Sequence, residues 1–168
     1  TNDRDSVAGF ASQMLWNMHH HVSAVYPKIG ELVAFRDIGT RLPMGTQSDE
    51  DILRMRLEEA GYKGVYAPDA VIRNRGPDTI ADFIKQRTRV NIGERYMKKE
   101  YGYDIPTWDY RLLVDAMFGA VRDMGFHPVK IALTVAMEMF SRLSATVYVG
   151  SDRGDMNVWD PVSTTKKL

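Results

Sequence analysis

SDEDILRMRLEEAGYKGVYAPDAVIRNRGPDTIADFIKQRTRVNIG, residues 48–93, is the stretch on which the reading of this chain turns. It opens on three acids, Asp49, Glu50 and Asp51, behind Ser48. Ser48 and Asp51 stand at the spacing of a capping box, with Asp where Glu is more usual, so a helix is expected to begin here. Ile52, Met55, Leu57 and Ala60 give that helix an apolar stripe, and Gly61 is a natural stop. The stretch closes on a second, longer helix, capped at Asp78 or Thr79 and reaching about Tyr101, which carries Gln86, Arg87 and Arg89. Between the two helices, residues 65–67 and 70–72 are short apolar runs separated by Pro68 and Asp69, expected as a strand, a kink and a second strand. An acidic helix start and a cationic helix are thereby expected to face each other across one strand.

Upstream, Asp5 or Ser6 caps a helix to about Tyr26, whose apolar residues recur near the helical period from Val7 to Val25. His19, His20 and His21 are consecutive, each rotated by about 100° from the last, so they cannot share one metal ion as an i, i+4 pair can. One His packed and hydrogen-bonded, with its neighbours at the rim, is the plain reading. Pro27 ends the helix, and residues 31–36 read as a short strand. Downstream, helices are expected at about 107–124 and 129–149. The second is strongly apolar yet holds Lys130, Glu138 and Arg142, too many charges for a bilayer span of about 20 apolar residues. It suits an ordinary packed helix or one lying on a membrane surface. Residues 151–168 read as a loop-rich tail anchored by Trp159.

At 168 residues and 44% hydrophobic content, the chain suffices for one domain with a real core. Lys+Arg and Asp+Glu balance at 22 each, so attraction to phosphate, nucleic acid or lipid must come from local patches. This balance argues against nucleic acid as the principal partner. Cysteine is absent, which excludes a disulfide framework and thiolate metal sites and agrees with a cytoplasmic setting. The polar N-terminus lacks an initiator Met and a signal-like apolar region, and reads as a cut inside a longer chain.

The chemistry follows from the two ends of the opening stretch. Acids in a first helical turn complement the helix dipole, which alone explains such a cluster. A carboxylate crowded by like charges also has its pKa raised and is poised to take a hydroxyl proton. Arg87 and Arg89 suit bidentate contacts to a diphosphate. Gln86 and Arg89 share one helical stripe with Asp82 and Gly93. Arg73, Arg75, Lys85, Arg95, Lys98 and Lys99 extend the basic surface, which solvent or nucleic acid could equally occupy.

Several motifs together resemble one family. Ser48-Asp49-Glu50-Asp51, Glu59-Ala60-Gly61-Tyr62-Lys63, Val65-Tyr66-Ala67-Pro68-Asp69-Ala70-Val71, Gly76-Pro77-Asp78-Thr79 and Gln86-Arg87-Thr88-Arg89 resemble the C-terminal half of a family-2 inverting glycosyltransferase of the GT-A fold, over about residues 14–105. Trp16-Asn17-Met18-His19-His20 and the 27–36 segment resemble archaeal-type members, in which this region lies on the acceptor side. The resemblance implies an α/β class: a partial GT-A, Rossmann-like domain, helix-rich with few short strands, over residues 1–105, and a C-terminal helical extension over 106–168. It implies Glu50 as general base, with Asp49 and Asp51 as rivals, and Gln86, Arg87 and Arg89 as the substrate-binding set together with Trp16 and His20.

The implied partners are a nucleotide-sugar donor and a glycan or lipid-linked acceptor. The implied cofactor is a divalent cation, Mg²⁺ or Mn²⁺, held mainly by residues outside this chain. Val90 stands where the family's Gln-x-x-Arg-Trp motif has Trp, which removes an aromatic platform and favours transfer of one or a few sugars over processive synthesis. The family's nucleotide-binding β-α-β units and Asp-x-Asp are not found here, so the chain is expected to be inactive alone. Two other classes remain open: an assembly module docking its basic helix on a membrane or nucleic acid, and a self-associating structural piece.

Overall fold

The computed structural model describes residues 5–28, 30, 32–43 and 48–151. The Trp159 anchor lies outside the described residues. Five α-helices follow in order: α1 (Val7–Val25), α2 (Asp49–Glu59), α3 (Ile80–Tyr101), α4 (Tyr110–Met124) and α5 (Pro128–Gly150), with a 3₁₀ turn at Pro106–Trp108 before α4.

Their ends follow local chemistry. The Ser6 hydroxyl accepts from the Gly9 amide at 3.0 Å, and the Thr79 hydroxyl accepts from the Asp82 amide at 3.1 Å, each satisfying a first-turn donor. Asp109 caps α4 through the Arg111 amide at 2.9 Å, so this helix starts three residues later than the expected Thr107. Gly102 closes α3 at φ 63°, a left-handed conformation that glycine takes without the Cβ penalty. Ser48 precedes α2 but its side chain forms no capping bond.

The α/β class is overturned. Among the described residues there is no strand, and the segments expected as strands, 32–36, 65–67 and 70–72, run as irregular backbone. A strand exists only in a ladder, where a neighbouring backbone takes its N–H and C=O groups. Here the neighbours are side chains and a loop: Tyr66 meets His20, Gly76 abuts Ser12 and Trp16, and Gly64 abuts Pro27. Val65 is 88% exposed, so its β-branched run has no sheet to pack in. The Pro68-Asp69 kink does form, closed by the Ala70 amide on the Ala67 carbonyl at 3.1 Å. The Rossmann-like GT-A architecture therefore gives way to a helical one.

Four helices share the core. α5 packs along α3, α1 packs along α4, and α1 also meets α5 and α3. Phe10, Met14 and Ala120 join α1 to α4, and Ala11, Phe83 and Met137 join α1, α3 and α5. α2 stands apart on the far end of α3, where Ile52 and Met55 pack on Met97 and Ile105. Ser141 and Ala145 are fully buried small residues that let α5 approach its neighbours closely. α4 and α1 approach similarly at Gly119, where a Cβ would lie 2.6 Å from the His21 ring.

The three charges of α5 point inward. Glu138 and Arg142 are engaged within the protein and Lys130 stands over the Phe10 ring, while Val129, Met139, Phe140, Leu143 and Val147 are exposed. Among the described residues no helix is long and apolar enough to cross a membrane.

Candidate active-site groove

The residues singled out in the sequence fall into three places. The first is the start of α2. Asp49 and Glu50 are exposed, whereas Asp51 is only 8% exposed. Burial raises the Asp51 carboxyl above its ordinary range; nearby Lys28 opposes this, Glu94 adds to it, and Arg54 and Asp49 act in smaller, opposed ways.

Glu94 is itself 3% exposed and fully engaged. It accepts from Thr107 Oγ1 at 3.1 Å and Trp108 Nε1 at 3.0 Å, and Lys28 Nζ stands 3.4 Å away. Sequence reasoning passed over Glu94. Its signal was position: it lies seven residues after Arg87 and three after Asn91, on the side of α3 that faces the protein.

The second place is the α3–α5 contact. Arg87 donates to Glu138 through Nε at 2.8 Å and Nη2 at 3.0 Å, a bidentate pair with both side chains largely buried. Arg142 donates to the same carboxylate at 3.0 Å. For Glu138, burial alone would raise the pKa, but the hydrogen bonds and charges of Arg87 and Arg142 outweigh it and hold the carboxyl below its ordinary range. The Arg87 guanidinium is held above its ordinary value by the same bond, against the effect of its burial. Arg142 also lies over the Trp108 ring, as does Arg95, so two cations contact one aromatic ring. Gln86 is half-buried and Arg89 exposed on the same helix.

The third place is a groove of about 1050 Å³. Trp16, Asn17 and His20 of α1 form one side, Arg54 and Glu58 of α2 another, and residues 27, 28, 30, 32–36, 62–68 and 70–74 complete it. Trp16 and His20, expected on the acceptor side, do line it, and Asp49, Glu50, Asp51, Gln86, Arg87 and Arg89 do not. His20 Nδ1 and Tyr66 Oη are hydrogen-bonded at 2.7 Å across the groove. His21 turns to the other side of α1 and bonds Asp123 of α4 at 2.8 Å. That bond holds the Asp123 carboxyl below its ordinary range.

Two polar atoms at this groove lack partners: Asn17 Oδ1 and Arg54 Nη1 are buried and unbonded. Arg54 otherwise donates Nε to Glu58 at 2.9 Å and lies over the Tyr26 ring at 4.0 Å. Glu58 is braced by the Tyr103 hydroxyl at 3.0 Å, and burial pushes that hydroxyl well above the ordinary tyrosine range. Lys28 bridges two of the three places, lining the groove while reaching Glu94.

Comparison with protein-family models matches residues 21–151 to the family described as glycosyl transferase family group 2, a span that covers α2 to α5 and leaves out Trp16, Asn17 and His20 on the α1 side of the groove. The chain belongs to this glycosyltransferase family. Its activity is therefore sugar transfer in general terms. No curated protein and no solved structure matches the chain. Among the described residues no three His, Asp or Glu side chains converge as a cation site requires, so these residues do not by themselves fit a divalent ion.

Proposed function

We propose that these residues form the acceptor side of a sugar-transfer site, in which an acceptor hydroxyl attacks a nucleotide-activated sugar with inversion. The family match over residues 21–151 carries the reading. The donor nucleotide and its Mg²⁺ or Mn²⁺ ion would be held by another part of the protein. Glu50, exposed in the first turn of α2, is the proposed general base, with Asp49 beside it as the rival. Asp51 suits a positioning role better, because a base must reach substrate and Asp51 is packed near Lys28 and Glu94. Gln86 and Arg89 are the groups proposed to hold the acceptor and the departing diphosphate. Arg87 is committed to Glu138, which supports a structural role in presenting the α3 surface.

The test is nucleotide release from a panel of nucleotide sugars, measured on the natural protein that carries these residues. Glu50→Gln is expected to lower kcat by about 10² to 10⁴ with little change in folding. Retention of more than half the activity would remove Glu50 as the base. The 168 residues alone are expected to transfer no sugar, and turnover by them would overturn the assignment of the donor site elsewhere.

A second reading has one observation in its favour. The outward face of α5 from Val129 to Val147 carries exposed apolar side chains while Lys130, Glu138 and Arg142 are turned inward, which suits a helix resting on a membrane surface. Flotation with neutral and anionic liposomes tests it, with Leu143→Glu expected to abolish any binding.

A further inference from the structure

We infer that Lys28 is a positioning residue for sugar transfer, its ammonium seated between Glu94 of α3 and Asp51 of α2 so that the first turn of α2 is held in register with the groove. The effect on turnover rests on the acceptor-side reading, whereas the effect on structure rests on the contacts of Lys28 alone.

Trp16 and His20 line the groove, but Asp49, Glu50 and Asp51 do not. Groove and acids can serve one substrate only when a rigid connection fixes one against the other, because transfer tolerates little misplacement of a reacting group. Lys28 makes that connection. It lines the groove, its Nζ stands 3.4 Å from Glu94 Oε1, and of the charges acting on the Asp51 carboxyl that of Lys28 weighs most. The residues before it are engaged as well: Arg54 of α2 lies 4.0 Å over the Tyr26 ring, and Gly64 abuts Pro27. Residues 26–28 thus form a corner that meets α2, α3 and the 62–74 segment together.

The charges show why a cation is needed there. Asp51 is 8% and Glu94 3% exposed, two carboxylates in one water-poor place. Lys28 is itself largely buried, with 15% of its side chain exposed. Arg54 gives its Nε to Glu58 and acts on Asp51 more weakly than Lys28 does. Without Lys28 the two acids would repel across the α2–α3 contact with no comparable cation between them. Ser48 supplies no side-chain cap to α2, so its first turn depends on Asp51 and on Ile52, which packs with Met97. Asp49 and Glu50 directly precede Asp51 in that turn, and whatever seats Asp51 also sets the backbone that presents them.

Nucleotide release is measured on the natural protein that carries these residues, and hydrogen exchange on the intact chain follows the Ile52 amide, which donates to the Ser48 carbonyl at 2.9 Å. Lys28→Met is expected to lower kcat by about tenfold to 10²-fold with the donor KM unchanged, and to speed exchange at Ile52 by about tenfold. Lys28→Arg keeps a cation and is expected to retain most of the activity. Adding Asp51→Asn to Lys28→Met removes one of the two repelling acids and is expected to restore much of the lost kcat. Arg56→Met breaks only an exposed pair with Glu59 on the same helix and is expected to change neither reading. The loss of Tm in Lys28→Met should grow as pH rises above the ordinary carboxylate pKa of about 4 and close below it, because Lys28 opposes the upward effect of burial on Asp51 and its removal lets the folded value climb further. Unchanged kcat in Lys28→Met would overturn the link to turnover, and an equal fall in Lys28→Arg, or no recovery with Asp51→Asn, would overturn the electrostatic seat. A fall in Lys28→Met beside an unaffected Glu50→Gln would remove Glu50 as the base and uphold Lys28, so the two readings fail separately.

Discussion

Removing the carboxylate that α3 and α5 share is the sharpest test of how this molecule holds together. In Glu138→Gln, Arg87 loses an acceptor of two hydrogen bonds at 2.8 and 3.0 Å, and Arg142 loses one at 3.0 Å. Two guanidiniums are then left beside a neutral amide. Truncating one partner of a buried pair typically costs 3–5 kcal/mol, because the remaining charge is desolvated without compensation. Arg87 keeps 21% and Glu138 15% of side-chain exposure, which lets some water in and places the expected loss near the lower end, about 3 kcal/mol. At about 2–4 °C per kcal/mol for a domain of this size, Tm should fall by about 6–12 °C.

Urea unfolding and thermal melts followed by far-ultraviolet circular dichroism at pH 7 provide the measurement. The loss should depend on pH in a definite direction. Glu138 has its folded pKa depressed, so its stabilisation is present above the unfolded carboxylate pKa of about 4.3 and disappears as pH falls through the lower folded value. The gap between wild type and variant should therefore close in acid. Replacing Arg87 and Glu138 together by Met should cost less than the sum of the single changes, since only Arg142 is then left without its carboxylate. A cost below about 1 kcal/mol for Glu138→Gln, the range of a solvated surface pair, would refute the argument.

Three further outcomes are expected. Gly119→Ala places a Cβ 2.6 Å from the His21 ring and should destabilise the α1–α4 contact by about 1–3 kcal/mol in urea unfolding, whereas Gly150→Ala, with open space around it, should not destabilise. Asp51→Asn should raise Tm at pH 7: the folded pKa of Asp51 is raised, so the wild type loses stability as pH climbs from the unfolded towards the folded value, and the advantage of Asn should vanish below both. A lower Tm at pH 7 would show that Asp51 is needed as an anion. Gly76→Ala pushes against Ser12 at 2.6 Å and Trp16 at 3.2 Å, and should shift tryptophan emission as the groove wall moves.

The helices were legible because their signals are local. Ser6, Thr79 and Gly102 cap where their chemistry dictates, and the apolar period placed α1, α3 and α5 within one or two residues. Individual burial was less legible: apolar Ile80 is 48% exposed, while polar Asn91 and Glu94 are buried. The strands failed for a related reason. Residues 65–67 and 70–72 have strand-like composition, but a strand is a relation between two backbones, and composition cannot report whether the second one is there.

The candidate site divides along the same line. Trp16 and His20 both line the groove, projecting from one regular helix. Arg87 was read beside Gln86 and Arg89 as part of a substrate-facing set, yet it is paired with Glu138, fifty-one residues away in the chain. The amino-acid sequence by itself determined the five helices, the caps at Ser6, Thr79 and Gly102, the family and the types of residue available for chemistry. Only the tertiary structure decided which charges serve the fold and which remain for a ligand, because the worth of a charge depends on its burial and its partners, and both are set by elements distant in sequence.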